Sequence, residues 1–194
     1  MIYYVKGAFV LKSATQVVVD CAGVGYDVQI SLNTYADVGP LSEGLLYTYH
    51  LVREDAQMLF GFSTQREKAL FELLISVSGV GANTARVILS SLSPTEVEQA
   101  ILSEDVPTLQ GVKGIGAKTA QRIVIDLKDK VAKTAAGLDA SGPIAKSGAR
   151  AEAHAALTTL GISAKQAETV LNKLLKQNPG APTEGLVRQA LQML

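Results

Sequence analysis

Lys113, Lys118 and Arg122 cluster around two closely spaced glycines, Gly114 and Gly116. That combination can hold a phosphate: the cations neutralise its charge, and the glycines let backbone come close to it. The same pattern stands earlier in the chain. Leu74–Leu92 reads LISVSGVGANTARVILSSL, and Leu109–Leu127 reads LQGVKGIGAKTAQRIVIDL. Aligned without a gap, Gly79 meets Gly114, Gly81 meets Gly116, Thr84 meets Thr119 and Leu92 meets Leu127, each pair 35 residues apart. Each copy is an apolar segment, a G-(V/I)-G turn, then small and apolar residues at helical spacing. This predicts two helix–hairpin–helix units. The second helix of each opens with unsatisfied N–H groups and a partial positive charge, which accept an anion. A single such turn is as often a plain connection between packed helices; the duplication favours two phosphate sites.

Other chemistries fit less well. GVKGIGAKT from Gly111 approaches the G-x-x-x-x-G-K-(S/T) phosphate loop of ATPases, but Ala117 separates Gly116 from Lys118 and no buried strand precedes it. No G-x-G-x-x-G fingerprint follows a strand, so nucleotide hydrolysis by this chain is excluded and no cofactor is expected. His50, His154 and Cys21 are too few for a zinc site. Cys21 lies in an apolar strand run, the setting of an inert thiol. A DNA glycosylase or nuclease would need a catalytic acid or lysine at a base pocket, or a carboxylate cluster holding metal. Asp126 and Asp129 lie among Lys128 and Lys130, where surface pairing accounts for them. A single-strand binder would need exposed aromatic platforms. Tyr35, Tyr47 and Tyr49 are available, but the alternation in LLYTYHL favours core or interface roles.

The elements that must position these residues follow from composition. The chain has 194 residues, 47% of them hydrophobic and 19% charged, enough for real cores and too apolar for a disordered chain. No apolar run approaches a membrane span, MIYYVKG lacks a signal-peptide pattern, and a lone cysteine suits a reducing compartment, so a cytoplasmic protein is expected. Net charge is zero, yet its distribution is uneven: residues 1–60 carry −3 and residues 111–130 carry +3. Positive charge is concentrated on the second hairpin.

Residues 1–63 read as strands. Five runs rich in Val, Ile, Tyr and Phe, broken by Gly, Asn, Pro and Ser, suit an OB-fold barrel, with a sandwich or meander as the alternative. Arg53-Glu54-Asp55-Ala56 lies between the last two runs, which puts Glu54 and Asp55 at a hairpin tip. On one chain that is a solvated turn; if copies met around an axis, the acids would form a negative centre. Residues 64–131 read as helices, with Thr64 and Glu67 as a capping box, Ser93-Pro94 opening another helix, and the last helix ending near Lys130. Residues 132–148 read as a flexible linker rich in Ala, Gly and Ser. Residues 149–194 offer three helical runs, with Ser163 and Thr183 as N-caps and Gly161 and Asn178-Pro179-Gly180 as stops. A bundle so small either binds a partner or stabilises the chain as a tail.

In this order and length, these parts resemble the bacterial RuvA family. The resemblance rests on MIYYVKG, VREDAQMLFGF, SGVGANTA, KGIGAKTAQRIVIDLKDK and the LVRQAL tail. It implies a multidomain α+β protein: an N-terminal five-stranded OB-fold barrel over 1–63, a central tandem helix–hairpin–helix domain over 64–131, and a C-terminal three-helix bundle over 149–194 on a flexible linker. It implies a homotetramer, singly or in pairs, that binds a four-way DNA junction in open square-planar form and takes no part in catalysis. Gly79, Gly81, Gly114, Gly116, Lys118 and Arg122 would hold duplex phosphates irrespective of sequence, with Lys113 beside them as an added positive charge of this chain's own. Glu54 and Asp55 would form an acidic pin at the junction centre, with Arg53 beside it on displaced phosphates. The tail would dock on RuvB, a hexameric ATPase motor, and the RuvC nuclease is a further implied partner. Two departures stand out: Asn83 and Ala117 occupy positions where the family often has lysine, and Lys113 one where proline is frequent.

Overall fold

The structure, a computed structural model, describes residues 1–138, 149–178 and 180–193. The chain divides into two compact units, Met1–Leu138 and Asp139–Leu194. The first begins with strands β1 (Tyr4–Ser13), β2 (Gln16–Cys21), β3 (Val24–Ile30), β4 (Glu43–Val52) and β5 (Gln57–Phe62), which close into a barrel in the order β1-β2-β3-β5-β4. Alternation along the strands turns Val5, Phe9, Val17, Val19, Val28, Ile30, Leu46 and Leu59 inward as the barrel core. All pairings are antiparallel except β3 with β5. A parallel pair needs a crossover, and the chain makes one through a short helix, α1 (Leu32–Val38), and β4.

Helix α1 corrects the all-strand reading of the first sixty residues. Seven residues are too few to show a helical period, and the helix is set by its surroundings instead. Ser31 caps its first turn, accepting from Thr34 N. Asn33 reaches across to donate to Leu89 O at 2.6 Å and Leu92 O at 2.9 Å. Those acceptors are carbonyls at the end of helix α3 (Ala82–Ser91), so the barrel caps a hairpin helix.

Four more helices complete this unit: α2 (Gln65–Ile75), which precedes α3, then α4 (Pro94–Leu102), α5 (Val106–Gln110) and α6 (Ala117–Leu138). Phe71 of α2 stacks on Tyr49, Phe60 and Phe62 from the outside of β4 and β5, with ring centroids 4.9–5.4 Å apart. The helical core therefore takes in the outer face of the barrel, Phe60 and Phe62 included, rather than hanging on a tether. A polar joint reinforces it. The expected capping box of Thr64 and Glu67 forms only by half: Thr64 Oγ1 accepts from Glu67 N, but the Glu67 carboxylate turns inward to Ser31 and Thr34. Two hydroxyl donors outcompete the helix's own backbone N–H. Burial raises the Glu67 pKa, with nearby Asp37 adding to the rise and the two hydroxyls opposing it.

The last helix runs to Leu138, past the end expected near Lys130 and into the segment read as linker. The linker residues it takes up, AKTAAGL, are mostly good helix formers, and a preceding helix supplies the nucleus that a short run lacks. The remainder of that linker, residues 139–148, lies outside the described residues.

The second unit holds α7 (Ala149–Thr159), α8 (Ala164–Gln177) and α9 (Thr183–Met193) around Ala153, Leu157, Ala167, Leu171, Leu174, Leu186 and Ala190. Ser163 caps α8 as expected and Gly161 takes a positive φ of 91° after α7. Thr183 does not act as a cap: it is the first residue of α9, and its hydroxyl donates to Glu152 of α7 at 2.8 Å. Of the expected stop at Asn178-Pro179-Gly180, Asn178 ends α8, and Pro179 lies outside the described residues.

Candidate nucleic-acid interface

The sequence duplication is a duplication of structure down to single hydrogen bonds. In the first copy, Val77 N donates to Leu74 O (3.1 Å), Val80 N to Val77 O (3.0 Å) and Ala85 N to Gly81 O (2.9 Å). In the second, Val112 N donates to Leu109 O (3.3 Å), Ile115 N to Val112 O (3.0 Å) and Ala120 N to Gly116 O (3.0 Å). The apolar positions that anchor each turn are buried in pairs: Leu74 and Leu109, Val77 and Val112, Val80 and Ile115, Ala85 and Ala120, Ile88 and Ile123.

The glycines divide into two jobs. Gly79 and Gly114 have φ of +94° and +90°, a left-handed geometry that a side chain would strain. Gly81 and Gly116 follow two residues after them, just ahead of α3 and α6; Gly81 is extended, at φ −86° and ψ 168°, and has no capping side chain. A Cβ at any of the four would meet nothing within 4 Å. All four lie on the surface, so the space beside each glycine is solvent rather than packed protein. Both turns thus present bare backbone and the N–H groups of a helix start.

The cations are arranged unequally. Lys118 and Arg122 line a shallow cleft with Thr119 and with Ser78 and Gly79 of the first turn. Arg122 spans it: Nη1 donates to Ser78 O at 3.2 Å, linking the two hairpins. Lys113 is exposed on the second turn, outside that cleft. The first copy has Ser78 where the second has Lys113, and Asn83 where it has Lys118. Its only cation, Arg86, turns to the barrel and donates to Gln29 Oε1 (2.8 Å) and Thr15 O (3.3 Å). Burial there pulls the Arg86 pKa below its ordinary value. Farther along α6, Lys128 pairs with Glu104, whose pKa that hydrogen bond and charge lower.

Arg53, Glu54 and Asp55 occupy the β4–β5 hairpin as expected. Val52 pairs with Gln57, and Arg53 N donates to Ala56 O at 2.8 Å, leaving Glu54 and Asp55 as the exposed tip. Among the described residues, neither carboxylate pairs with a cation. Sequence reasoning missed Ser78 and Arg86, because each matters through a partner more than 40 residues away that no local pattern reveals. Among the described residues no cluster of three or more His, Cys, Asp or Glu could hold a metal, and no helix is long and apolar enough to cross a membrane.

A closed five-stranded barrel whose outer face packs into the core of two matched, glycine-opened hairpins defines a barrel-borne tandem helix–hairpin–helix protein. Comparison with known families agrees. Residues 1–61 match the model described as RuvA N terminal domain, 71–129 the SAM-like Helix-hairpin-helix tandem, and 148–194 the RuvA, C-terminal domain. The Holliday junction branch migration complex subunit RuvA of Christiangramia forsetii is 48% identical over 195 residues, with both chains covered in full. The proteins of that name from Bacteroides fragilis and Flavobacterium psychrophilum are 47% and 46% identical, also over the whole of both chains. This chain belongs to the RuvA family.

Proposed function

We propose that this chain is the non-catalytic, junction-binding subunit of a branch-migration complex. The observation that carries the proposal is the pair of matching turns, each with exposed glycines at a helix start, anchored in one core and bridged by Arg122. Two fixed anion sites suit successive phosphates of a duplex arm, and backbone donors read no sequence. Gly79, Gly81, Gly114 and Gly116 admit the backbone, and Lys113, Lys118 and Arg122 supply charge. The relatives' printed name, Holliday junction branch migration complex subunit, points to the same substrate.

Four copies around an axis would place one arm of a square-planar junction on each pair of hairpins. The Glu54–Asp55 tips would then gather at the centre, repelling phosphates there while Arg53 holds strands drawn aside. The three-helix unit over 149–194 would dock on a RuvB ATPase, which would supply the motor, and RuvC would act on the same junction. The division of the chain at Asp139 supports a separable docking unit. The test is competition for the full chain between a four-way junction, a duplex and a single strand at matched salt. The junction should bind most tightly and the single strand least. Equal affinity for junction and duplex would overturn the proposal.

A further inference from the structure

The first hairpin has the backbone of an anion site but none of its own charge. Ser78 and Asn83 stand where the second copy has Lys113 and Lys118, and Arg86 is committed to Gln29 and Thr15 of the barrel. The turn also exposes Ser78 O, whose lone pairs would repel a phosphate oxygen arriving at Gly79. The group that meets this carbonyl is Arg122, from the helix of the other hairpin. Ser78 O takes one of the five N–H donors of its guanidinium, and no acid pairs with it among the described residues.

We propose that Arg122 is the cation of the first hairpin rather than of the second, from whose helix it projects. It masks the Ser78 carbonyl and offers its remaining donors to the phosphate held at Gly79 and Gly81. Lys113 serves the second turn, and Lys118 lies between the two, lining the same cleft as Ser78 and Gly79. The two anion sites are thereby coupled through one side chain, which bridges turns already anchored in one core. This rests on the phosphate-grip reading above and goes beyond it by assigning the cation across the repeat.

The internal repeat supplies the test. Position 83 corresponds to Lys118, so Asn83→Lys puts a lysine into the first turn; Gln121→Lys adds the same charge to the second hairpin's helix, beside Lys118 and Arg122. Four-way junction affinity is measured across a salt series for the full chain, for Arg122→Ala, and for Arg122→Ala with either lysine. Circular dichroism and thermal melting confirm that each variant is folded. Arg122→Ala should weaken binding about tenfold or more and lower the slope of log K against log salt by about 0.9 for each phosphate no longer neutralised. Asn83→Lys should restore most of both, and Gln121→Lys little of either. Rescue by Gln121→Lys as good as that by Asn83→Lys would overturn the assignment while leaving the phosphate grip standing, as would an Arg122→Ala chain with unchanged affinity and slope. Failure of the unsubstituted chain to bind the junction would overturn both readings.

Discussion

At the scale of the residue, the four hairpin glycines are not equivalent, although the sequence presents them as two identical pairs. Gly114 needs its left-handed backbone, whereas Gly116 only needs empty space beside it. A Cβ at Gly114 costs about 1–2 kcal/mol in backbone strain, so Gly114→Val should lower the melting temperature of the free protein. Gly116→Val should leave that temperature nearly unchanged, since its side chain points into solvent, but should remove most DNA affinity by blocking the close approach. Lys118→Ala, which deletes one exposed charge, should weaken binding less than Gly116→Val does. Normal DNA binding by a folded Gly116→Val protein would contradict the hairpin reading. The acidic tip belongs to this scale too. Glu54→Gln with Asp55→Asn keeps the hairpin's shape and removes two negative charges per chain, so plain duplex should bind more tightly and junction preference should fall. The change should be largest at low salt, because screening shortens the reach of exposed charges. An unaltered junction-to-duplex ratio at every salt would mean that the tip is only a polar loop.

At the scale of the element, what was legible in the sequence was whatever repeats or alternates. The hairpins were legible because two copies of one pattern exclude coincidence, and the strands because period-two runs ended at turn residues. Helix α1, the inward turn of Glu67 and the partner of Arg122 were not, because each is decided by groups far along the chain: Thr34 for Glu67, Ser78 for Arg122. Glu67 gives the joint between barrel and hairpins a pH dependence of definite sign. Its folded pKa lies above the ordinary 4.5, so the folded state binds the proton more tightly than the unfolded chain. The resulting stability is fully present below 4.5 and is lost as pH rises through the folded value. Glu67→Gln should remove this loss, so urea unfolding should show the variant gaining on the parent from acid toward neutral pH; parallel stability curves would refute it. The tail makes a separate prediction. Deleting residues 149–194 should leave junction binding intact and abolish stimulation of a RuvB motor, as read by motor-driven branch migration. A truncated chain that still stimulates the motor would end the docking assignment.

At the scale of the whole molecule, a neutral net charge is reconciled with a nucleic-acid partner by where the charges lie. Acids on the barrel and cations on the second hairpin make one chain polar, and symmetry would turn that polarity into a negative centre surrounded by basic hairpins. Such a surface attracts duplex weakly from afar and rewards only a substrate that supplies several arms while keeping phosphates away from the middle. Under the proposed arrangement, junction recognition would depend on several copies engaging one junction together. The most direct measurement is the mass of the complex in solution, by sedimentation or native mass spectrometry, on a four-way junction and on a duplex of the same sequence. One chain has a mass of 20.4 kDa. Protein should bind the junction in sets of four chains, about 4 × 20.4 kDa of protein for each set, with the duplex competing poorly. Single chains binding junction and duplex alike would contradict it.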